Sequence, residues 1–172
     1  MYTIERKRSG SGSASDFYKL KGMANKGFKT FESYESAMIA HYNQTVLAEH
    51  SLAPYVHSEV GRVRIGKGKK LSRWGYVTEI AETLGCGGNT CTCGDCDHEE
   101  LECEFSDEIE SLCSEIEDLG FYFGDCHIGN VGYVYRDGFP VLVCIDTGDE
   151  SVTSDDGPCF CLECKKGRNC RE

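Results

Sequence analysis

Three polar residues in the second half of the chain have the types and spacing that phosphate and metal chemistry needs. Asp125 opens the run Gly124-Asp125-Cys126-His127-Ile128-Gly129-Asn130, and Asn130 closes it five residues on. Asp146 stands where the apolar stretch Val141–Ile145 ends, followed by Thr147 and Gly148. Carboxylates and a carboxamide are hard oxygen ligands of the kind Mg²⁺ accepts. One aspartate can orient a hydroxyl while the asparagine and the second aspartate hold metal and phosphate. The plainer alternative is an ordinary turn with Asx hydrogen bonds.

Twelve cysteines suggest a second chemistry. Cys91, Cys93 and Cys96 form a C-x-C-x-x-C triplet, and Cys159, Cys161 and Cys164 repeat it. Closely spaced thiolates converge on a soft metal, and Zn²⁺ takes four ligands in a tetrahedron. Cys86 and Cys170 are the fourth candidates, with His98 and Cys103 in reserve. Either each segment closes its own site, or ligands mix and clamp the two segments together. Few apolar residues surround these clusters, which fits metal serving in place of a core. Disulfides, free thiols and an iron–sulfur cluster are the alternatives. A disulfide framework needs an oxidising compartment, and the start MYTIERKRSG has no apolar stretch that reads as a secretory signal. Cys113, Cys126 and Cys144 read as small packing residues.

Regular elements must hold these groups. Residues 2–8, 16–21 and 27–31 read as strands, with a flexible Gly/Ser turn at 10–13. Ser33 is the expected N-cap of a helix running to Glu49, with Met38, Tyr42, Val46 and Leu47 inward. Strands follow at 58–65 and 73–80. Ile109, Leu112, Cys113, Ile116 and Leu119 recur at gaps of three and four, marking an amphipathic helix that Gly120 stops. The run Phe121-Tyr122-Phe123, then a hairpin of 131–135 and 141–145 turning at Asp137-Gly138, complete the series. The order predicts an α+β class. In the 172 residues, 40% are hydrophobic, enough for a core, and no run approaches the ~20 apolar residues that span a bilayer.

Charge divides the chain. Residues 1–75 carry thirteen Lys/Arg against six Asp/Glu, and residues 76–172 carry five against twenty-three, within a net charge of −11. A basic lobe beside an acidic one, or an acidic surface that repels nucleic acid or attracts a basic partner, follows from that asymmetry. A nucleic-acid role for the cysteine region is disfavoured by its own acids. Arg62, Arg64, Lys67, Lys69, Lys70 and Arg73 read as a solvated hairpin tip.

The Asp125/Asn130/Asp146 pattern resembles the protein-kinase-like superfamily, whose catalytic loop and following metal-binding aspartate have this order. The wording Asp-Cys-His-Ile-Gly-Asn looks especially like the loop of aminoglycoside- and choline-type phosphotransferases and of compact kinase-like proteins of bacteria and their phages. The resemblance implies a minimal two-lobed kinase-like fold with a truncated second lobe and a Cys-rich, zinc-binding insert and tail. Its divisions are 1–82 as an N-lobe of antiparallel sheet and one helix, 83–105 as the acidic Cys-rich insert, 106–150 as helix, catalytic loop and metal-binding hairpin, and 151–172 as the Cys-rich tail. It implies Asp125 as the catalytic base, Asn130 and Asp146 as Mg²⁺ ligands, and Lys29 as the phosphate-binding lysine, with Lys26 competing. Gly10 and Gly12 look like the start of a phosphate loop with Ser15 at the third glycine. Glu35 resembles the partner of the lysine, and residues 76–82, Glu79 and Ala81 among them, resemble the hinge that cradles adenine.

The implied activity is ATP- and Mg²⁺-dependent phosphoryl transfer to a protein or small-molecule hydroxyl. The implied location is the cytoplasm, that of the host if the chain is phage-encoded. The departures are Phe123-Gly124 in place of His-Arg, Thr147 in place of Phe, and only twenty-four residues after Gly148, too few for the family's helical lobe. They motivate the alternative of a pseudokinase-type module that binds a protein partner through an acidic, zinc-stiffened surface.

Overall fold

Residues 26–31 alternate between two faces, as a strand must. Phe28 packs with Leu20 and Val77 on one side, and Phe31 with Ala37, Ala40 and Tyr76 on the other. A computed structural model describes residues 10–11, 15–65, 71–84 and 104–160. The expected strand at 2–8, Gly12, and the candidate ligands Cys86, Cys91, Cys93, Cys96, Cys161, Cys164 and Cys170 lie outside the described residues.

The described residues form two helices and three antiparallel sheets, an α+β architecture as the sequence predicts. The largest sheet has strand order β1-β2-β3-β5-β4, from Gly10–Ser11 (β1), Ser15–Lys19 (β2), Lys26–Phe31 (β3), Gly61–Ile65 (β4) and Leu71–Glu79 (β5). Glu82–Thr83 (β6), Val131–Arg136 (β8) and Phe139–Cys144 (β9) form a three-stranded sheet in the order β6-β8-β9. Phe121–Phe123 (β7) pairs with Val152–Ser154 (β10). The β8–β9 hairpin turns at Asp137 and Gly138 with φ of 53° and 86°. Both are positive, as a tight twisted hairpin requires.

Some elements depart from the expectation. Gly10–Ser11 is not simply a turn, because it pairs with Asp16 and Phe17. The strand expected from residue 58 begins at Gly61, and the segment before it contributes the single bridge Val56↔Thr78. Both β6 and β10 were illegible, since two or three residues are too few to show a period.

Tyr34–Glu49 (α1) starts where expected, with the Ser33 hydroxyl accepting from the Ser36 amide at 2.9 Å. Its inward face differs from the apolar stripe that was expected. Ala37, Ala40, Asn43, Gln44, Leu47 and Ala48 are buried, while Met38, Tyr42 and Val46 are half-buried. The alanines let the helix approach Phe31 and Tyr76 closely. Gln44 satisfies buried polar groups there, accepting from the Tyr76 hydroxyl at 2.8 Å and donating to Pro54 O at 2.8 Å. Burial pushes the Tyr76 phenol far above its ordinary range.

Ser106–Asp118 (α2) buries Leu112 and Ile116 against Leu47, Leu52, Phe121, Phe123, Val131 and Cys144. Asp107 and Glu108 sit in its first turn, where carboxylates favour the helix dipole. Gly120 at φ 81° ends it. The lower end of α1 and all of α2 thus share one core. No helix among the described residues is long and apolar enough to cross a membrane.

Two features make checkable demands. A Cβ on Gly75 would lie 2.0 Å from the Lys29 carbonyl oxygen, so any side chain there pushes β5 off β3. Gly75→Ala is expected to destabilise by about 3 kcal/mol in chemical denaturation, the upper end for overpacking. The second is Glu79, whose carboxylate accepts from Arg136 Nη1 at 2.8 Å and Nη2 at 2.7 Å and from the Tyr55 amide at 3.1 Å. Burial alone would raise its pKa, but the Arg136 and Tyr55 hydrogen bonds outweigh that and hold it below the ordinary value of 4.5. A depressed folded pKa contributes stability that is present above the unfolded value and lost as pH falls through the folded one. Glu79→Gln should therefore lower Tm at neutral pH and flatten the Tm-versus-pH curve below about pH 4.5.

Candidate functional site

Lys29 occupies the face of β3 that carries Phe31 and opposes Tyr76 across the strand pair. That face is covered by α1, so the lysine stem is enclosed and the residue is 6% exposed. Its ammonium donates to Ile145 O at 3.1 Å and lies 3.5 Å from Asp146 Oδ1. β9 ends at Cys144, and the two residues just past it reach back to the centre of the large sheet.

Asp146 is held on both oxygens. Oδ1 takes Lys29 and, at 3.3 Å, the Gly148 amide, while Oδ2 accepts from the Ser151 hydroxyl at 3.1 Å. Burial would raise its pKa. The Lys29 charge, the Gly148 amide and the Ser151 hydroxyl outweigh burial and hold the carboxyl below its usual range.

Asp125 lies in the loop after β7, and its side chain is more exposed, at 58%. Asn130 ends the short helical turn Ile128–Asn130, and its Nδ2 donates to Asp125 O at 2.9 Å and Asp125 Oδ2 at 2.8 Å. With Nδ2 committed, Oδ1 of Asn130 is the atom left for a cation. His127 shapes the loop: its Nδ1 accepts from the Gly129 amide at 3.0 Å, and its Nε2 lies 3.6 Å from Asp125 Oδ2.

Ile145 joins the two halves of the site. Its amide donates to Asn130 O at 2.9 Å, and its carbonyl accepts from Lys29. Lys29, Asp125, Asn130 and Asp146 therefore belong to one hydrogen-bonded assembly.

The other candidates fall around it. Gly10 sits on β1 opposite Phe17. Glu35 is in the first turn of α1, but the acid within ion-pair reach of Lys29 is Asp146. Glu79 ends β5 with its side chain on Arg136, and Ala81 lies between β5 and β6. The main chain there is partly committed, with the Glu79 amide donating to Tyr55 O at 2.8 Å and the Ile80 amide to Asn25 O at 3.0 Å.

Cys159 is exposed, and its neighbour Phe160 packs edge-on against Tyr34, which in turn meets Trp74 at 4.9 Å. Cys113, Cys126 and Cys144 are free thiols on the α2 core. Burial pushes the Cys126 and Cys144 thiols well up, as inert packing residues require. Among the described residues no three His, Cys, Asp or Glu side chains converge as a metal site. The oxygen donors of Asp146 and Asn130 suit Mg²⁺, which takes one or two protein ligands and completes its shell with water and phosphate.

Three residues make contacts that the sequence does not show, although Thr147 stands out there as the replacement for Phe. Asn43 donates to Thr147 O at 3.1 Å and Val152 O at 2.9 Å, and the Thr147 hydroxyl donates to Ala40 O at 3.1 Å. Ser151 is the third. Asn43 and Gln44 did carry a signal, as adjacent carboxamides between the inward Ala40 and Leu47. Ser151, after Asp149 and Glu150, carried none.

No protein-family model matches the chain, and comparison with curated proteins finds no match.

Lys29→Met leaves the mostly buried Asp146 carboxylate without its counter-charge, and is expected to cost about 3 kcal/mol in urea denaturation. The double variant Lys29→Met/Asp146→Leu should recover much of that loss. Additive losses in the double-mutant cycle would show that the two side chains do not interact.

Proposed function

We propose that the chain is an ATP- and Mg²⁺-dependent phosphotransferase of protein-kinase-like fold, acting on a protein or small-molecule hydroxyl. The observation that carries this is the assembly around Ile145: a buried lysine from β3 paired with the acid after β9, and a loop asparagine joined to both that strand and Asp125. Phosphoryl transfer needs positioning and charge neutralisation more than covalent chemistry. Asp125, the most exposed of the three, orients the acceptor hydroxyl and takes its proton. Asn130 and Asp146 supply oxygens to Mg²⁺, which when bound neutralises phosphate charge. Lys29 contacts phosphate, with Glu35 nearby in chain order. Gly10 and Gly12 allow backbone to approach the phosphates, and the Glu79 carbonyl and main-chain groups at Ala81 receive adenine. Zn²⁺ held by the Cys86/91/93/96 and Cys159/161/164/170 sets stiffens the insert and tail.

A second reading is favoured by the self-paired Lys29 and Asp146 and by the buried Thr147 in place of an aromatic residue. It makes the chain a pseudokinase-type module whose acidic surface engages a protein partner.

Incubation with labelled ATP and Mg²⁺, beside Asp125→Ala and Asp146→Ala, separates the two. Label transfer or ATP turnover in the parent chain and its loss in both variants is the expected result. Nucleotide binding with no turnover across a wide panel of hydroxyl acceptors would leave the binding module. Elemental measurement on fresh protein is expected to find about one to two zinc per chain. No zinc, with every thiol titratable, would end the zinc reading.

A further inference from the structure

We infer that Ser151 is a positioning residue that sets both aspartates of the proposed phosphotransferase site at once, an inference that rests on that reading. Its hydroxyl donates to Asp146 Oδ2 at 3.1 Å. Its carbonyl accepts from the Gly124 amide at 2.9 Å, one residue before Asp125. A single side chain therefore fixes the carboxylate offered to metal, and its own backbone fixes the start of the loop that presents the acceptor-orienting aspartate.

The residue is placed to do this rigidly. Ser151 is 2% exposed. Its amide donates to Gly148 O at 3.0 Å, and the next amide, of Val152, donates to the same oxygen at 2.8 Å, which closes 148–152 into a tight turn. Asn43 grips that turn from α1, at Thr147 O just before it and Val152 O at its end. Val152 opposes Phe123 in the β7–β10 pair, so the turn and the Asp125 loop leave the same two-stranded ribbon.

Lys29 and Ser151 each take a different oxygen of Asp146. With both oxygens held, the carboxylate plane cannot swing. If Lys29 turns toward a phosphate, the Ser151 hydroxyl and the Gly148 amide keep the plane in place. A carboxylate oriented by a neighbouring donor binds metal more tightly than a free one, and loss of such a donor typically costs 10–100-fold in metal affinity.

The test uses the full chain with Mn²⁺ in place of Mg²⁺ and a non-hydrolysable ATP analogue. Free Mn²⁺ is read by its electron paramagnetic resonance signal, and the Mg²⁺ dependence of ATP turnover is measured in parallel. Ser151→Ala removes the hydroxyl and keeps the carbonyl. It should weaken Mn²⁺ binding on the order of 10-fold or more, and should raise the Mg²⁺ needed for half-maximal turnover by more than it lowers kcat. Ser151→Thr restores a hydroxyl and should recover most of the loss. Ser151→Cys, close in size but a poor donor, carries the comparison if the alanine variant does not fold, and thermal denaturation monitors folding throughout.

If the parent chain binds Mn²⁺ with nucleotide and the alanine or cysteine variant binds it equally well, the positioning role is overturned and the phosphotransferase reading stands. If all three variants weaken together and melt early, Ser151 is only a fold residue. If the parent chain itself binds no Mn²⁺ with nucleotide, the phosphotransferase reading fails and takes this one with it.

Discussion

The described structure turns on one charge pair that the large sheet must shelter. Taking an ammonium or a carboxylate out of water costs several kcal/mol per ion, and mutual attraction repays it only where the remaining hydrogen-bonding capacity is also met. Here it is met by the Ile145 carbonyl, the Gly148 amide and the Ser151 hydroxyl. The partners are 117 residues apart in the chain. Joining them fixes where β9 ends, against the large sheet, and beside the pair β5 passes so close to β3 that position 75 tolerates no Cβ, while α1 presents alanines toward Phe31 and Tyr76.

The same demand explains why α1 was only half legible. Its start at Ser33 and its end near Glu49 follow from capping chemistry and are local, so the sequence shows them. Its inward face is expected to be apolar at Met38, Tyr42, Val46 and Leu47, and only Leu47 is fully buried while the other three are half-buried. The interior beside α1 is partly polar because irregular backbone runs through it at Pro54, at Thr147 and at Val152. Buried carbonyls there need donors. Carboxamides at Asn43 and Gln44 supply them, Gln44 to Pro54 close by in the chain and Asn43 to backbone brought in from more than 100 residues away. Propensity and period are blind to such a requirement. The second helix faces an ordinary apolar core, and there the period of Ile109, Leu112, Cys113, Ile116 and Leu119 read correctly.

The candidate site divides in the same way. Asp125, Asn130 and Asp146 were visible because acid and amide residues next to glycines and apolar strands stand out against their surroundings. Their connection through Ile145 was not visible, since it uses only an apolar residue's backbone. Ser151 was hidden among acids that read as a solvated turn. The charge asymmetry of the chain now has a local counterpart, with Lys29 from the basic part meeting Asp146 from the acidic part. Most of the cysteine ligands proposed for zinc lie outside the described residues, and the one within them, Cys159, adjoins a phenylalanine that packs against the start of α1.

On the proposed reading, the Lys29–Asp146 pair also governs how ligands enter. Lys29 turning to a phosphate leaves Asp146 without its counter-charge. Asp146 neutralised by a metal ion leaves Lys29 without its own. Either change alone strands a mostly buried charge and is opposed. Made together, each side chain exchanges one opposite charge for another and the opposition largely cancels. Metal and nucleotide then assist each other's binding, and by linkage each does so to the same degree. A module that binds a partner on its acidic surface and takes no nucleotide has no reason to open the pair, whereas one that still holds nucleotide opens it as the enzyme does. The coupling between metal and nucleotide therefore marks a site that takes both ligands, and turnover alone separates enzyme from pseudokinase, because the coupling follows from the ion pair and not from the chemistry of transfer.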